Sequence, residues 1–269
     1  MVLVTSRKAI WLHSDANSSP RTLKGAIFDW DGTLAQIDDR EFYCLNQTLI
    51  AHHSKPIDLQ FLVKNYYQRA YEIGTGPRMV LETALSRDDC ARIDEAYETY
   101  RKLFRDTVDK ARLQNGALEL LSALKVHGFK LGIATMRFTR SVVKEELDLL
   151  RVSPVVDVLF TREDLGPGRG LESLEEVVDK RKQLVMRALD RLKLRVEDAF
   201  LVGDSWWDVR AGKKLGIRTV LVRTGFARYN DFSQENADVT MNSLVELENR
   251  LESKGWNLDL RLGTSRNLA

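Results

Sequence analysis

Short apolar runs, set far apart by stretches with helical periodicity, pattern the chain from Gly25 onward. The runs that read as strands are Ala26–Asp29, Lys130–Thr135, Val155–Thr161, Ala199–Asp204 and Arg218–Val222. Parallel strands need long crossovers, and helices cover both faces of such a sheet, so the alternation predicts an α/β fold: a Rossmann-like doubly wound parallel sheet. The first interval breaks the rule. Between Leu34 and about Leu113 the pattern predicts no strand, but amphipathic helices around residues 40–53, 57–73, 78–86 and 88–112. Their ends fall at Pro56, at Gly74-Thr75-Gly76-Pro77, and at Ser86 before Arg87-Asp88-Asp89. An all-helical insertion is therefore expected, leaving the sheet after its first strand and returning before Gly116, where it would lie over the sheet edge like a lid. The expected organisation is an N-terminal extension at 1–24, a core at 25–36 and 113–250, the helical insertion at 37–112, and a tail at 251–269.

Charge and composition narrow the classes of function. The net charge of +2 comes from 41 basic and 39 acidic residues spread along the 269-residue chain, so no field strong enough for nucleic acid or a membrane surface is expected. Cys44 and Cys90 match no metal spacing and no disulfide framework and read as packing residues of a reduced, cytoplasmic setting. No apolar stretch approaches the roughly 18 residues needed to span a bilayer. Met1 to Lys24 holds Arg7, Lys8, Arg21 and Lys24 against Asp15 alone. A frayed extension is the first reading of that segment and organelle targeting the second.

The chemistry begins at Asp29-Trp30-Asp31-Gly32-Thr33-Leu34, directly after the first apolar run. Ligands gather at the C-terminal edge of a parallel sheet, so Asp29 and Asp31 are placed at the mouth of one pocket. Two carboxylates in unlike surroundings can divide labour, one as an ionised nucleophile and the other carrying the proton for a leaving group. Thr135 ends a later strand in the position Asp29 holds in the first; its hydroxyl and the amides of Met136 and Arg137 are candidate donors to an oxyanion. Gly203-Asp204-Ser205-Trp206-Trp207-Asp208 adds two more carboxylates four residues apart, and with Asp29 they make a candidate site for a hard cation, magnesium. The alternative for that loop is structural, with Asp204 a helix cap and Asp208 solvated. Neutralising a carboxylate that attacks a phosphate also calls for a fixed cation, and Lys180 and Lys182 stand at the start of the helix leading to Leu184.

These four elements in this order resemble the haloacid dehalogenase superfamily, mostly magnesium-dependent phosphatases. Asp29-x-Asp31-Gly-Thr33 is similar to its first motif, Thr135 to its second, Lys180 or Lys182 to its third, and Gly203-Asp204-x-x-x-Asp208 to its fourth. Asn115-Gly116-Ala117, His127-Gly128, Asp208-Val209-Arg210-Ala211-Gly212 and Leu215-Gly216-Ile217 extend the likeness, which covers about residues 25–247. The insertion stands where the C1 cap of the subgroup resembling phosphoglycolate phosphatase and β-phosphoglucomutase stands. The resemblance implies that Asp29 attacks phosphorus and that Asp31 protonates the leaving alcohol, then activates water. It implies a magnesium ion held by the Asp29 carboxylate, the Asp31 carbonyl and Asp204, with Asp208 in support, and a phosphoryl group bound by Thr135 and the lysine. One departure is plain: many capped relatives carry Lys-Pro-x-Pro where this chain has Asp179-Lys180-Arg181-Lys182, and spacing favours Lys180 over Lys182. Gly166-Pro167-Gly168-Arg169-Gly170 and the acidic run to Asp179 read as an insertion before it. Arg78, after Gly74-Thr75-Gly76-Pro77, resembles a substrate-specificity residue that grips a carboxylate or second phosphate; a solvated arginine beside a helix connection is the alternative.

The expected function is hydrolysis of a small phosphorylated metabolite, with a sugar-phosphate mutase as the alternative and a catalytically silent binding protein as the third reading. The second aspartate disfavours carbon–halogen and phosphonate chemistry, whose enzymes lack it.

Overall fold

The computed structural model describes residues 23–72, 76–85, 90–166 and 173–256. In chain order the strands are β1 (Gly25–Phe28), β2 (Ala35–Gln36), β3 (Arg112–Leu113), β4 (Lys130–Thr135), β5 (Val158–Thr161), β6 (Ala199–Gly203), β7 (Arg218–Val222) and β8 (Val239–Met241). The helices are α1 (Asp38–Ala51), α2 (Leu59–Asn65), α3 (Pro77–Leu85), α4 (Cys90–Asp106), α5 (Ala117–Val126), α6 (Arg140–Leu149), α7 (Leu174–Leu192), α8 (Trp206–Leu215), α9 (Phe226–Tyr229) and α10 (Leu244–Ser253). Six parallel strands form one sheet in the order β5-β4-β1-β6-β7-β8. The order reverses at β1: the chain builds outward through β4 and β5 on one side and through β6, β7 and β8 on the other. Such a switch point opens a crevice at the C-terminal strand ends. β1 is buried along its whole length, as its apolar sequence Gly-Ala-Ile-Phe requires of a strand covered on both faces.

Two apolar layers sandwich the sheet. On one face Phe28, Leu131 and Phe200 pack with Leu120, Leu124, Val143, Leu147, Leu247 and Leu251 from α5, α6 and α10. On the other, Ile27, Ala134 and Leu201 meet Leu184, Val185, Ala188 and Leu192 of α7. β2 and β3 pair antiparallel at the base of the helical insertion, holding its two connections together. Helices α1 to α4 enclose a core of their own, built on Leu45, Leu49, Leu62, Val80, Leu81 and Tyr100. Cys44 is fully buried there, as its packing role predicts; the Cys90 side chain lies outside the described residues.

The insertion is clasped to the core. Trp206 Nε1 donates to the Ala70 carbonyl at 2.7 Å, and its ring stacks on Tyr71 at 5.3 Å. Asn230 Nδ2 donates to the Tyr67 carbonyl at 2.8 Å, and the Tyr67 and Tyr229 rings stack at 4.9 Å. From α1, Arg40 reaches Glu146 of α6 at 2.6 Å.

Several elements differ from the sequence expectation. The strand expected at 155–161 begins only at Val158, because Val155 closes a turn onto Val152 and the Asp157 carboxylate caps the Leu131 amide. The helix expected at 57–73 breaks after Asn65 and continues as a tighter turn over Tyr67–Arg69. The helix expected at 88–112 ends at Asp106, where Thr107 turns its hydroxyl back onto the Leu103 carbonyl at 2.7 Å. β8, three residues long, carries too little pattern to predict. The breaks expected at 74–77 and 86–89 fall largely outside the described residues. From Leu174 on, the acidic run before Lys180 is helical: α7 starts there, capped by Ser173, whose hydroxyl accepts the Glu176 amide. Among the described residues no helix is long and apolar enough to cross a membrane.

Candidate active site

The ends of β1, β4 and β6 meet at the crevice, and each delivers one candidate group. The Asp29 amide donates to the Val202 carbonyl at 2.9 Å, extending the β1–β6 ladder by one residue and setting the Asp29 side chain at the sheet edge. The chain then turns sharply, with the amides of Leu34 and Ala35 both bonding to the Trp30 carbonyl. Gly32 is required here: its φ is +78°, and a Cβ on it would sit 2.6 Å from Asp204 Oδ2. Asp204, after β6, is 1 % exposed and fixed by two donors, the Thr33 hydroxyl at 2.9 Å and the Phe226 amide at 2.6 Å. Thr33 thus orients a carboxylate 171 positions away. Asp208 is buried too, closing a capping box with Ser205 at the start of α8. Both structural and site roles fall on it, so the solvated alternative for Asp208 does not hold. Asp29, Asp204 and Asp208 present carboxylate oxygens that all lie within 4.8 Å of one another.

The cation among them is Arg181. Its Nη1 lies 3.3 Å from Asp29 Oδ1, its Nε 2.6 Å from Asp208 Oδ1, and Nη1 also donates to the Ala134 carbonyl at the end of β4. The sequence reading assigned this position to Lys180, with Lys182 second. Lys180 instead pairs with Glu176 one turn earlier on α7, at 2.7 Å, and Lys182 is half-buried with no ion pair among the described residues. The reason is helical phase. Val178, Arg181, Leu184, Val185, Ala188 and Leu192 form the buried stripe of α7, and Lys180 and Lys182 flank it about 100° to either side. A charged residue in register with Leu184, Ala188 and Leu192 was the available signal. Arg181 Nη2 is buried and has no partner among the described residues. An orphaned guanidinium donor against a nucleophile-like carboxylate fits an incoming oxyanion.

Thr135 is 1 % exposed, and its hydroxyl accepts the Arg137 amide at 3.2 Å. Met136 turns its side chain into the α7 layer. Arg137 does more than offer an amide. Its guanidinium forks onto both Asp31 oxygens, Nε to Oδ2 at 3.0 Å and Nη2 to Oδ1, while Nη1 bonds Glu146. Glu146 is 1 % exposed and also accepts from Trp30 Nε1 at 2.7 Å and from Arg40 Nη1 at 2.6 Å. Sequence reasoning passed over Glu146 and Arg40; the one signal was a carboxylate on the Val142, Val143 and Leu147 stripe of α6. Arg78 is placed elsewhere. It pairs with Glu82 at 3.1 Å and Asp94 at 2.6 Å on the surface of the insertion, with 43 % of its side chain exposed.

Burial dominates the electrostatics. It pushes Asp29 well above the ordinary carboxylate range, against the pull of Arg181, and Asp208, Asp204 and Asp31 push it further. Asp204 is pushed up to about 7 by burial and then by Asp208. Burial raises Asp31 too, opposed by Arg137. Three converging buried carboxylates form an oxygen donor set that fits a hard divalent cation. Raised carboxylates in the folded state contribute stability that is present below about pH 4 and lost as pH rises through the folded value, about 7 for Asp204. Without divalent cation, the unfolding temperature is expected to fall by roughly 5 °C or more between pH 5 and pH 7.5. Magnesium should restore most of that loss at pH 7.5 and shift the value little at pH 5; equal shifts at both pH values in calorimetry would refute a site on these carboxylates.

Comparison with known proteins identifies a family. The family model for haloacid dehalogenase-like hydrolases matches residues 26–222. The chain belongs to that family. Within it, the phosphoglycolate phosphatase of Rhodospirillum rubrum is 29 % identical over 216 residues, 76 % of this chain and 81 % of that protein. Pyrophosphatase PpaX of Halalkalibacterium halodurans is 26 % identical over 222 residues, covering 82 % of this chain and 93 % of the relative. The crystal structure of CbbY from Rhodobacter sphaeroides in complex with phosphate has the same fold, with a TM-score of 0.63 at 20 % identity over 84 % of this chain and 96 % of that one. In this haloacid dehalogenase-like hydrolase Asp29, Asp31, Asp204 and Asp208 all fall within the matched span, and Arg181 lies beside Asp29 and Asp208.

Proposed function

We propose that this hydrolase is a magnesium-dependent phosphatase that cleaves a small phosphomonoester through an aspartyl-phosphate on Asp29. The observation that carries the reading is the buried convergence of Asp29, Asp204 and Asp208 around the Arg181 guanidinium. Relatives named phosphoglycolate phosphatase and pyrophosphatase support phosphoryl chemistry.

The residues divide the work as follows. An Asp29 oxygen bonds to phosphorus, the bond from phosphorus to the ester oxygen breaks, and the ester oxygen takes the proton of the Asp31 carboxyl. Water then adds its oxygen to phosphorus and its proton to Asp31, releasing phosphate and the Asp29 carboxylate. Arg181 Nη2 and the Thr135 hydroxyl bind phosphoryl oxygens, and Arg181 holds Asp29 in line. Asp29, the Asp31 carbonyl and Asp204 would hold magnesium, with Asp208 behind them; the ion supplies positive charge against the phosphoryl oxygens. The helical insertion acts as the cap, limiting access to small substrates and excluding bulk water. Phosphate release from p-nitrophenyl phosphate and small phosphomonoesters, with and without magnesium, tests the reading. Turnover that needs magnesium is expected; a protein silent on every ester, or equally active in excess chelator, would refute it.

A further inference from the structure

Arg137 is the feature of the site that phosphoryl transfer at Asp29 does not account for. Both edges of its guanidinium are engaged. One edge forks onto Asp31, and the remaining nitrogen is anchored on Glu146, itself held by Trp30 and Arg40. The Phe104 ring of α4 lies against the guanidinium at 4.9 Å. Arg137 is thus fixed by the core and by the insertion at once, with one planar fork turned toward Asp31.

That fork has a cost for Asp31 as a proton donor. Both carboxylate oxygens accept from Arg137, so each spends a lone pair on the guanidinium and the carboxylate is held toward it. A guanidinium fork accepts a carboxylate or phosphate bidentately, and one anion can replace another on it. Beside Arg137 a cleft of about 100 Å³ opens where α4 meets the start of α6, lined by Tyr100, Arg101, Phe104, Arg105, Arg137, Phe138, Thr139 and Val142. Three of those eight side chains are arginines; Arg101 is paired with Glu98 at 2.8 Å, and Arg105 is exposed. The opening has room for a group of a few heavy atoms, and its charge selects an anionic one. Arg40, the other buried cation nearby, is committed to Glu146 at 2.6 Å.

We propose that Arg137 is the specificity-determining residue for a second anionic group on the leaving side of the substrate, which takes the place of Asp31 on the guanidinium fork and so turns Asp31 free to face the leaving oxygen. The substrate class is then a phosphate ester or anhydride with a carboxylate or a second phosphate close to the scissile bond. This inference rests on the phosphatase reading. Substrate binding and the release of the acid become one event, so a neutral ester of the same size finds the acid still latched.

The test compares kcat/KM for phosphoglycolate, pyrophosphate and the neutral isostere 2-hydroxyethyl phosphate, with p-nitrophenyl phosphate as the control for phosphatase activity. Wild type should favour at least one anionic substrate over the neutral isostere by about tenfold or more, and the better of the two identifies carboxylate or phosphate as the ligand. In Arg137→Gln that ratio should fall to near one, and in Arg137→Lys to an intermediate value. Arg105→Glu, at an exposed position where folding is not at stake, should lower the ratio several-fold and leave the circular dichroism melt in place. An enzyme that turns over p-nitrophenyl phosphate but shows a ratio within about twofold of one, or variants that keep the wild-type ratio, would overturn the proposal. Silence on all four substrates would instead overturn the phosphatase reading beneath it.

Discussion

Asp29→Asn is expected to lower magnesium-dependent phosphate release by about 10⁴-fold or more, because an amide oxygen cannot serve as the attacking group. The substitution is nearly isosteric. Asp29 is 6 % exposed, and the pocket around it needs no repacking. Burial holds the Asp29 carboxyl well above its ordinary range in the absence of a cation, so removing its charge should not destabilise the protein. At pH 7.5 without magnesium the variant should therefore unfold at or above the wild-type temperature, while losing turnover. Rapid acid quench of the wild type during turnover should trap phosphate on the protein, and the variant should trap none. Retention of more than about a hundredth of wild-type activity would place the nucleophile elsewhere.

Arg181→Gln is expected to produce the second largest effect, and it strikes both stability and rate. Arg181 is fully buried and holds together Asp29, Asp208 and the Ala134 carbonyl. Removing one partner from such a cluster leaves uncompensated buried charge and typically costs about 3–5 kcal/mol. The sign with pH is fixed by the same carboxylates. Without the guanidinium Asp29 binds protons more readily in the folded state, so the loss should be largest at pH 7.5 and shrink toward pH 5. Loss of a phosphoryl donor should also lower kcat by about 10²- to 10³-fold. Arg181→Lys keeps the charge but not the planar fork, and cannot span both aspartates and a carbonyl; about a tenfold loss in kcat is expected. Urea melts at pH 5 and 7.5, together with kcat at saturating substrate, check each part. A Gln variant as active and as stable as wild type would show that the guanidinium is not what balances the carboxylates.

Much of this site was legible in the sequence, for a local reason. Asp29, Asp31, Thr135, Asp204 and Asp208 each stand at or just after the end of a short apolar run, and a parallel strand delivers its next residues to the C-terminal edge whatever the rest of the fold does. Gly32 could be read as a turn residue, though its close approach to Asp204 could not. The third motif was less legible. Arg181 stands between the two expected lysines, and choosing among Lys180, Arg181 and Lys182 depends on where α7 begins, and Leu174 starts that helix before the expected point.

By itself the sequence determined the alternation of strand and helix, the helical insertion between β2 and β3, and the five acidic and hydroxyl groups at the strand ends, because these follow from local periodicity and turn chemistry. The tertiary structure alone decided that Arg181 balances the carboxylates, that Arg78 stays in the α3–α4 seam, and that Arg137 bridges Asp31 and Glu146. Those choices rest on the phase of a helix over the sheet and on contacts such as Arg137 to Asp31 and Arg40 to Glu146, each spanning 106 positions. A side chain's partner at that separation is set by how two elements pack, and no local pattern encodes it.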